Sequence, residues 1–139
     1  MTTTVDVRWL GHSTVTVDVA RAGGRLRIVT DPVLRAGLAH LRRRTRTPEP
    51  ADTAGCDLAL VSHLHHDHCD LPSLRRLAAS WVVAPPGAGP WLQRRLGRGA
   101  GTVVEIAVGE SRTLPLPRAT GGEVAVSYTH LTLPTNREV

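Results

Sequence analysis

The chain has no lysine and no phenylalanine, one methionine, one tyrosine and two cysteines among 139 residues. Two cysteines, Cys56 and Cys69, are too few for a disulfide-stapled scaffold. No secretory leader is read at the start, so the expected setting is reducing and cytoplasmic, with both thiols as ordinary buried residues. No apolar run approaches the roughly 20 residues of a membrane-spanning helix, so no transmembrane segment is expected. Aromatic side chains make up 3% of the chain, which leaves little for base stacking. No internal repeat is present, which excludes a solenoid.

The basic charge is all arginine. Seventeen arginines face 12 acids, a formal net charge of +5, and with abundant Ala, Gly and Pro this composition reads as a GC-rich bacterial coding sequence. The densest run is Arg42-Arg43-Arg44-Thr45-Arg46. It lies in a connection where solvated charge costs little, which is the leading reading. Steering of an anionic small-molecule substrate comes second. Nucleic acid comes last, since no aromatic residues are interleaved with the arginines.

The chemistry is concentrated in His63-Leu64-His65-His66-Asp67-His68, directly after the apolar run Asp57-Leu58-Ala59-Leu60-Val61-Ser62. A short apolar run bounded by turn residues reads as a buried strand, which puts the histidines at the sheet edge where α/β proteins carry out chemistry. In extended chain His63 and His65 face one side and can share an ion, while Leu64 turns toward the protein. If the chain then curls toward a helix opened by Asp70-Leu71-Pro72, Asp67 and His68 swing toward a second ion. Imidazole and carboxylate suit zinc, and also manganese or iron. His66 interrupts these positions and is expected to face solvent.

The remaining pattern is alternating strands and short helices. Val5 to Leu10 and Thr14 to Val19 alternate as a β-hairpin, and Arg25 to Thr30 forms a third strand ended by Asp31-Pro32. A long connection covers 33–55. After the metal-motif strand come a helix over Pro72 to Ala79, a strand Trp81 to Ala84 and a helix Pro90 to Leu96. Strands follow over Thr102 to Ile106, Arg112 to Leu114 and from Glu123 to Ala125.

His63-x-His65-x-Asp67-His68 resembles the signature of the metallo-β-lactamase-fold hydrolases. Val7-Arg8-Trp9-Leu10-Gly11-His12-Ser13-Thr14-Val15 and Thr30-Asp31-Pro32-Val33-Leu34 are similar to the branch with ascorbate-phosphate lactonases and N-acyl-phosphatidylethanolamine phospholipase D. The resemblance runs from about Val5 to Val124. It implies that His63 and His65 hold a first metal and that Asp67 and His68 belong to a second, with Asp67 also orienting the attacking water. Asp31 is expected either to orient a ligand histidine from behind or to form the turn before Pro32. For His12, packing in a Gly-His-Ser turn is the safer reading, with support of the site as the alternative. His40 is expected at the surface.

The resemblance also implies a later histidine, a bridging aspartate and a last histidine, and none can be placed. The implied fold is a four-layer αββα sandwich needing on the order of 200 residues, so the chain is expected to be its truncated first half, with the inner sheet face uncovered. His130 is a tempting third histidine, but 126–135 reads as a translation of GTC TCT TAT ACA CAT CTG ACG CTG CCG ACG, which resembles a transposon-end sequencing adapter. The expected division is therefore a partial domain over 1–125 and a foreign tail over 126–139.

The function implied is metal-assisted hydrolysis of an ester, lactone, amide or phosphodiester, with the fragment itself expected to be inactive. The alternatives are a non-catalytic metal-binding fragment and, for the intact parent, a nuclease of the same fold. The oligomeric state is not legible.

Overall fold

A computed structural model of the chain describes residues 2–117 and 122–128. Its centre is a mixed sheet with strand order β1-β2-β3-β6-β7-β8. β1 (Thr4–Gly11), β2 (Thr14–Arg21) and β3 (Gly24–Thr30) form an antiparallel meander. From β3 onward the sheet is parallel through β6 (Leu58–Leu60), β7 (Trp81–Ala84) and β8 (Thr102–Glu105). The long connection over 33–55 carries a small ladder, β4 (Gly37–Leu38) with β5 (Leu41–Arg42), and one helical turn, α1 (Pro50–Thr53).

Two helices cover one face of the sheet. α2 (Leu71–Leu77) starts where Asp70 caps it by accepting from the Ser73 backbone N–H, and it ends at Ala78 in the left-handed region. α3 (Gly89–Leu96) follows β7. Their apolar sides meet Val29, Ala59 and Val82, all fully buried. Leu34, Leu74 and Leu92 fill the same layer. Each such side chain contributes about 1.5–3 kcal/mol through burial.

The opposite face is only partly bare, which corrects the expectation of an uncovered inner surface. β9 (Ser111–Leu116) and β10 (Gly122–Ser127) pair antiparallel and lie over it. Leu114 and Leu116 pack there against Leu26, Leu58, Val83 and Ile106, and Trp81 Nε1 donates to the Pro115 carbonyl at 2.7 Å. The hairpin does not reach β1, so Val5, Val7 and Trp9, paired with Val19, Val17 and Val15, are 56%, 63% and 62% exposed. β10 carries its pairing through Val126 and Ser127, beyond the boundary expected at Ala125. His130 and the rest of 129–139 lie outside the described residues. No helix among the described residues is long and apolar enough to cross a membrane.

Candidate metal centre

Three stretches of chain arrive at one edge of the sheet because of strand direction. β3 and β6 run parallel, with Thr30 opposite Leu60, so Asp31 and Ser62 emerge side by side at their C-terminal ends. β2 runs against β3, with Val15 opposite Thr30, so the Gly11-His12-Ser13 turn sits at the same edge. This is where parallel α/β sheets place ligands.

The motif itself begins extended and then turns. The His65 carbonyl accepts from the backbone N–H groups of His68 and Cys69 at 2.9 and 2.8 Å. That curl brings the His63 and His68 rings to 4.1 Å between centroids, with His65 edge-on to His63 at 4.7 Å. His66 is exposed, as is His40. Leu64 does not turn inward as expected. It is 40% exposed, because β6 ends at Leu60 and the chain turns directly after Leu64.

Asp31 ties the edge together. Its carboxylate accepts from the Ser62 backbone N–H and the Ser62 hydroxyl, both at 2.7 Å, and lies 2.9 Å from His68 Nδ1. Its backbone N–H donates to the Leu60 carbonyl at 2.7 Å, and its carbonyl accepts from the Thr14 hydroxyl at 2.8 Å. These bonds hold Asp31 at φ 35, a left-handed conformation that costs a non-glycine residue about 1–3 kcal/mol. A carboxylate only accepts, so the proton of a neutral His68 sits on Nδ1 and leaves Nε2 as a free donor atom. Both readings of Asp31, turn residue and partner of a histidine, describe its position.

His12 does more than pack in its turn. It is exposed, also left-handed at φ 48, and its Nε2 lies 3.0 Å from Asp67 Oδ2. The same Asp67 oxygen is 3.4 Å from His68 Nε2. Among the described residues, His12, Asp67 and His68 each offer a donor atom within 4.8 Å of the others. Sequence reasoning missed Ser62, whose hydroxyl bridges Asp31 and His63 Nδ1, the latter at 2.9 Å. Its only signal was its place at the strand end.

The donor set has the chemistry a divalent metal requires. Burial, with the nearby His68 and His65, pushes the His63 imidazole below its ordinary value and keeps it in the neutral, metal-binding form. Burial pushes the Asp67 carboxyl up, but its own backbone N–H and the His12 side chain outweigh that and hold it ionised. Cys69 is different. Burial, with Asp31 and Asp70 nearby, raises its thiol to about 11, so it stays protonated beside the site.

A pocket of about 360 Å³ opens next to His12 and Asp67, lined also by Trp9, Leu38 and Leu41. The β4–β5 ladder forms its far side.

Comparison with known proteins gives this arrangement its context. The family model described as the beta-lactamase superfamily domain matches residues 26–138. The N-acyl-phosphatidylethanolamine-hydrolyzing phospholipase D 1 of Caenorhabditis elegans is 36% identical over 116 residues, covering 74% of this chain and 31% of its own length. The chain thus spans about a third of that relative. Solved structures of other proteins share the fold. The diiron β-hydroxylase CmlA of Streptomyces venezuelae is similar at 24% identity and a TM-score of 0.55, over 88% of this chain and 27% of CmlA. The metallo hydrolase Igni18 of Ignicoccus hospitalis KIN4/I is similar at 18% identity and 0.55, over 91% and 57%. With three layers of the sandwich in place and the family model covering most of its length, the chain belongs to the beta-lactamase superfamily and forms part of a metallo-β-lactamase-fold domain.

Proposed function

We propose that this chain carries the metal-holding half of a metal-dependent hydrolase, with His63, His65, Asp67 and His68 as ligands and Asp67 as the catalytic group. The observation that carries the reading is the grip of Asp31 on His68 Nδ1 while donor atoms of His12, Asp67 and His68 gather within 4.8 Å. Two zinc ions fit the donor types, with manganese or iron as alternatives; one structural neighbour is a diiron enzyme.

Bound divalent ions supply Lewis acidity, which activates water and polarises the electrophile. The protein does the rest. Asp31 fixes the tautomer and plane of His68, and the Ser62 hydroxyl does the same for His63. His12 Nε2 steadies one oxygen of Asp67. The Asp67 carboxylate orients the attacking water and takes its proton. An ester, lactone, amide or phosphodiester of a small molecule is the substrate, and the phospholipase D relative supports the phosphodiester. Nucleic acid is disfavoured. A cytoplasmic location goes with this reading, supported by the chain's low cysteine content, Cys56 and Cys69 alone.

Zinc uptake by the full chain, followed by equilibrium dialysis, tests the proposal. Uptake that falls by about tenfold or more in His63→Ala or Asp67→Asn supports it. Uptake unchanged in both overturns it. Uptake without turnover of ester, lactone or phosphodiester substrates supports the non-catalytic fragment instead. The division into a native 1–125 and a foreign 126–139 belongs to the same reading. Long-read sequencing across the Ala125 codon decides it, and a locus that encodes Val126 to Val139 overturns it.

A further inference from the structure

The run Arg42-Arg43-Arg44 is not a uniform patch of solvated charge. Burial alternates along it, with Arg42 and Arg44 exposed and Arg43 half-buried between them, as β5 gives way to a bend at Arg44. Arg43 is fully employed. Its guanidinium donates to the carbonyls of Leu10, Val33 and Arg35 and to the Thr45 hydroxyl, which pins the β4–β5 ladder against the end of β1. Gly11 lets it in, since a Cβ there would collide with the Arg43 guanidinium and the Thr45 hydroxyl. Arg35 is likewise committed, gripping Asp70.

The guanidinium groups of Arg42 and Arg44 carry no hydrogen bond or ion pair among the described residues, yet both residues line the 360 Å³ pocket that includes His12 and Asp67. Among the described residues, Asp67 is the only acid lining that pocket, and His12 already faces it. Two uncompensated guanidinium groups beside apolar walls from Trp9, Leu38 and Leu41 make a positive, partly dry recess. Guanidinium matches the geometry of an oxyanion. The volume is at the small end for ligand pockets, enough for a charged group with a short apolar attachment.

We infer that Arg42, at the end of β5, and Arg44, in the bend just after it, form an anion-holding subsite, which holds a substrate oxyanion, phosphate or carboxylate, with a short apolar group against Trp9 and Leu41. Arg43 is the anchor that sets their position. The inference rests on the hydrolase reading only in placing the scissile bond toward Asp67.

Calorimetric titration of the full chain with hexyl phosphate, hexanoate and hexanol tests it. At least one of the two anions binds, hexanol at least about tenfold more weakly, and added salt weakens the anion. The Arg42→Gln/Arg44→Gln double variant loses about tenfold or more in anion affinity, while Arg98→Gln, an exposed arginine outside this pocket, does not. Arg42→Lys/Arg44→Lys recovers part of the loss. The stronger of the two anions identifies the substrate's charged group. Binding unchanged in the double variant, hexanol binding as tightly as the anions, or no binding of any probe overturns the inference. So does anion binding that survives in the double variant and disappears in His63→Ala, which moves the anion to the histidine cluster. Circular dichroism confirms that the variants fold. Failure of zinc uptake leaves this readout intact, so the two proposals fail separately.

Discussion

Asp31 and His68 are 37 positions apart, yet the Asp31 Oδ2 atom lies 2.9 Å from His68 Nδ1, and Asp31 holds a left-handed backbone at φ 35 to reach it. Asn tolerates that backbone, but with its one oxygen on the Ser62 backbone N–H its amide NH2, a donor, faces His68 Nδ1 and no longer holds the proton there. Asp31→Asn is expected to lower zinc affinity about 10–100-fold with little change in fold. Competition with a chromophoric chelator reads the affinity, and circular dichroism reads the fold.

Asp18 and Arg27 form a two-pronged ion pair at 2.6 and 2.7 Å, with the Arg27 side chain 9% exposed. Arg27 also donates to the Ala51 and Ala54 carbonyls, which joins the sheet to α1. Removing the carboxylate strands a buried charge, so Asp18→Ala is expected to cost about 3 kcal/mol in urea unfolding at neutral pH.

The same pair sets an acid limit. The hydrogen bond from Arg27, outweighing burial, holds the Asp18 carboxyl below its ordinary 3.8. The Glu49 backbone N–H and the Arg46 side chain do the same for Asp52. A depressed folded-state pKa means the unfolded chain binds the proton first. The contribution is therefore complete above the ordinary value and is lost as pH falls through the folded one. Unfolding midpoints are expected to drop steeply below about pH 4, and Asp18→Asn is expected to flatten that slope.

Gly11→Ala tests the anchor. Gly11 sits at φ 119, and an added Cβ meets the Arg43 guanidinium. A loss of about 1–3 kcal/mol is expected, together with weaker anion binding, because the segment around Arg43 that carries Arg42 and Arg44 shifts.

The two ends of the sheet should differ in sensitivity. Leu92→Ala removes a fully buried side chain from the helical layer and is expected to cost about 2–5 kcal/mol. Val7→Thr, on a strand the β9–β10 hairpin does not reach, is expected to stay within about 0.5 kcal/mol. Thermal melts of both variants check the contrast.

Most of the secondary structure was legible. β7 coincides with Trp81 to Ala84 as read, and α2 begins at the Asp70 cap that the sequence displays. Alternation over Val5 to Leu10 and Thr14 to Val19 marked the first hairpin because its pairing is local. β4 and β5 escaped notice, since strands of two residues leave no periodicity to count. Leu64 faces solvent where alternation turns it inward, because alternation assumes the strand continues, and β6 already ends at Leu60.

What the sequence alone determined is the family and the local cluster: His63 to His68 lie within reach of one another by chain geometry, and the apolar run before them makes a strand. What only the tertiary structure decided is which distant groups join them. His12 meets Asp67 across 55 positions, Asp31 meets His68, and Arg42 and Arg44 reach the same pocket. Those meetings depend on β3 running parallel to β6 and antiparallel to β2, which brings three chain reversals to one edge. Strand order arises from long-range burial of the sheet faces, and no local spacing encodes it.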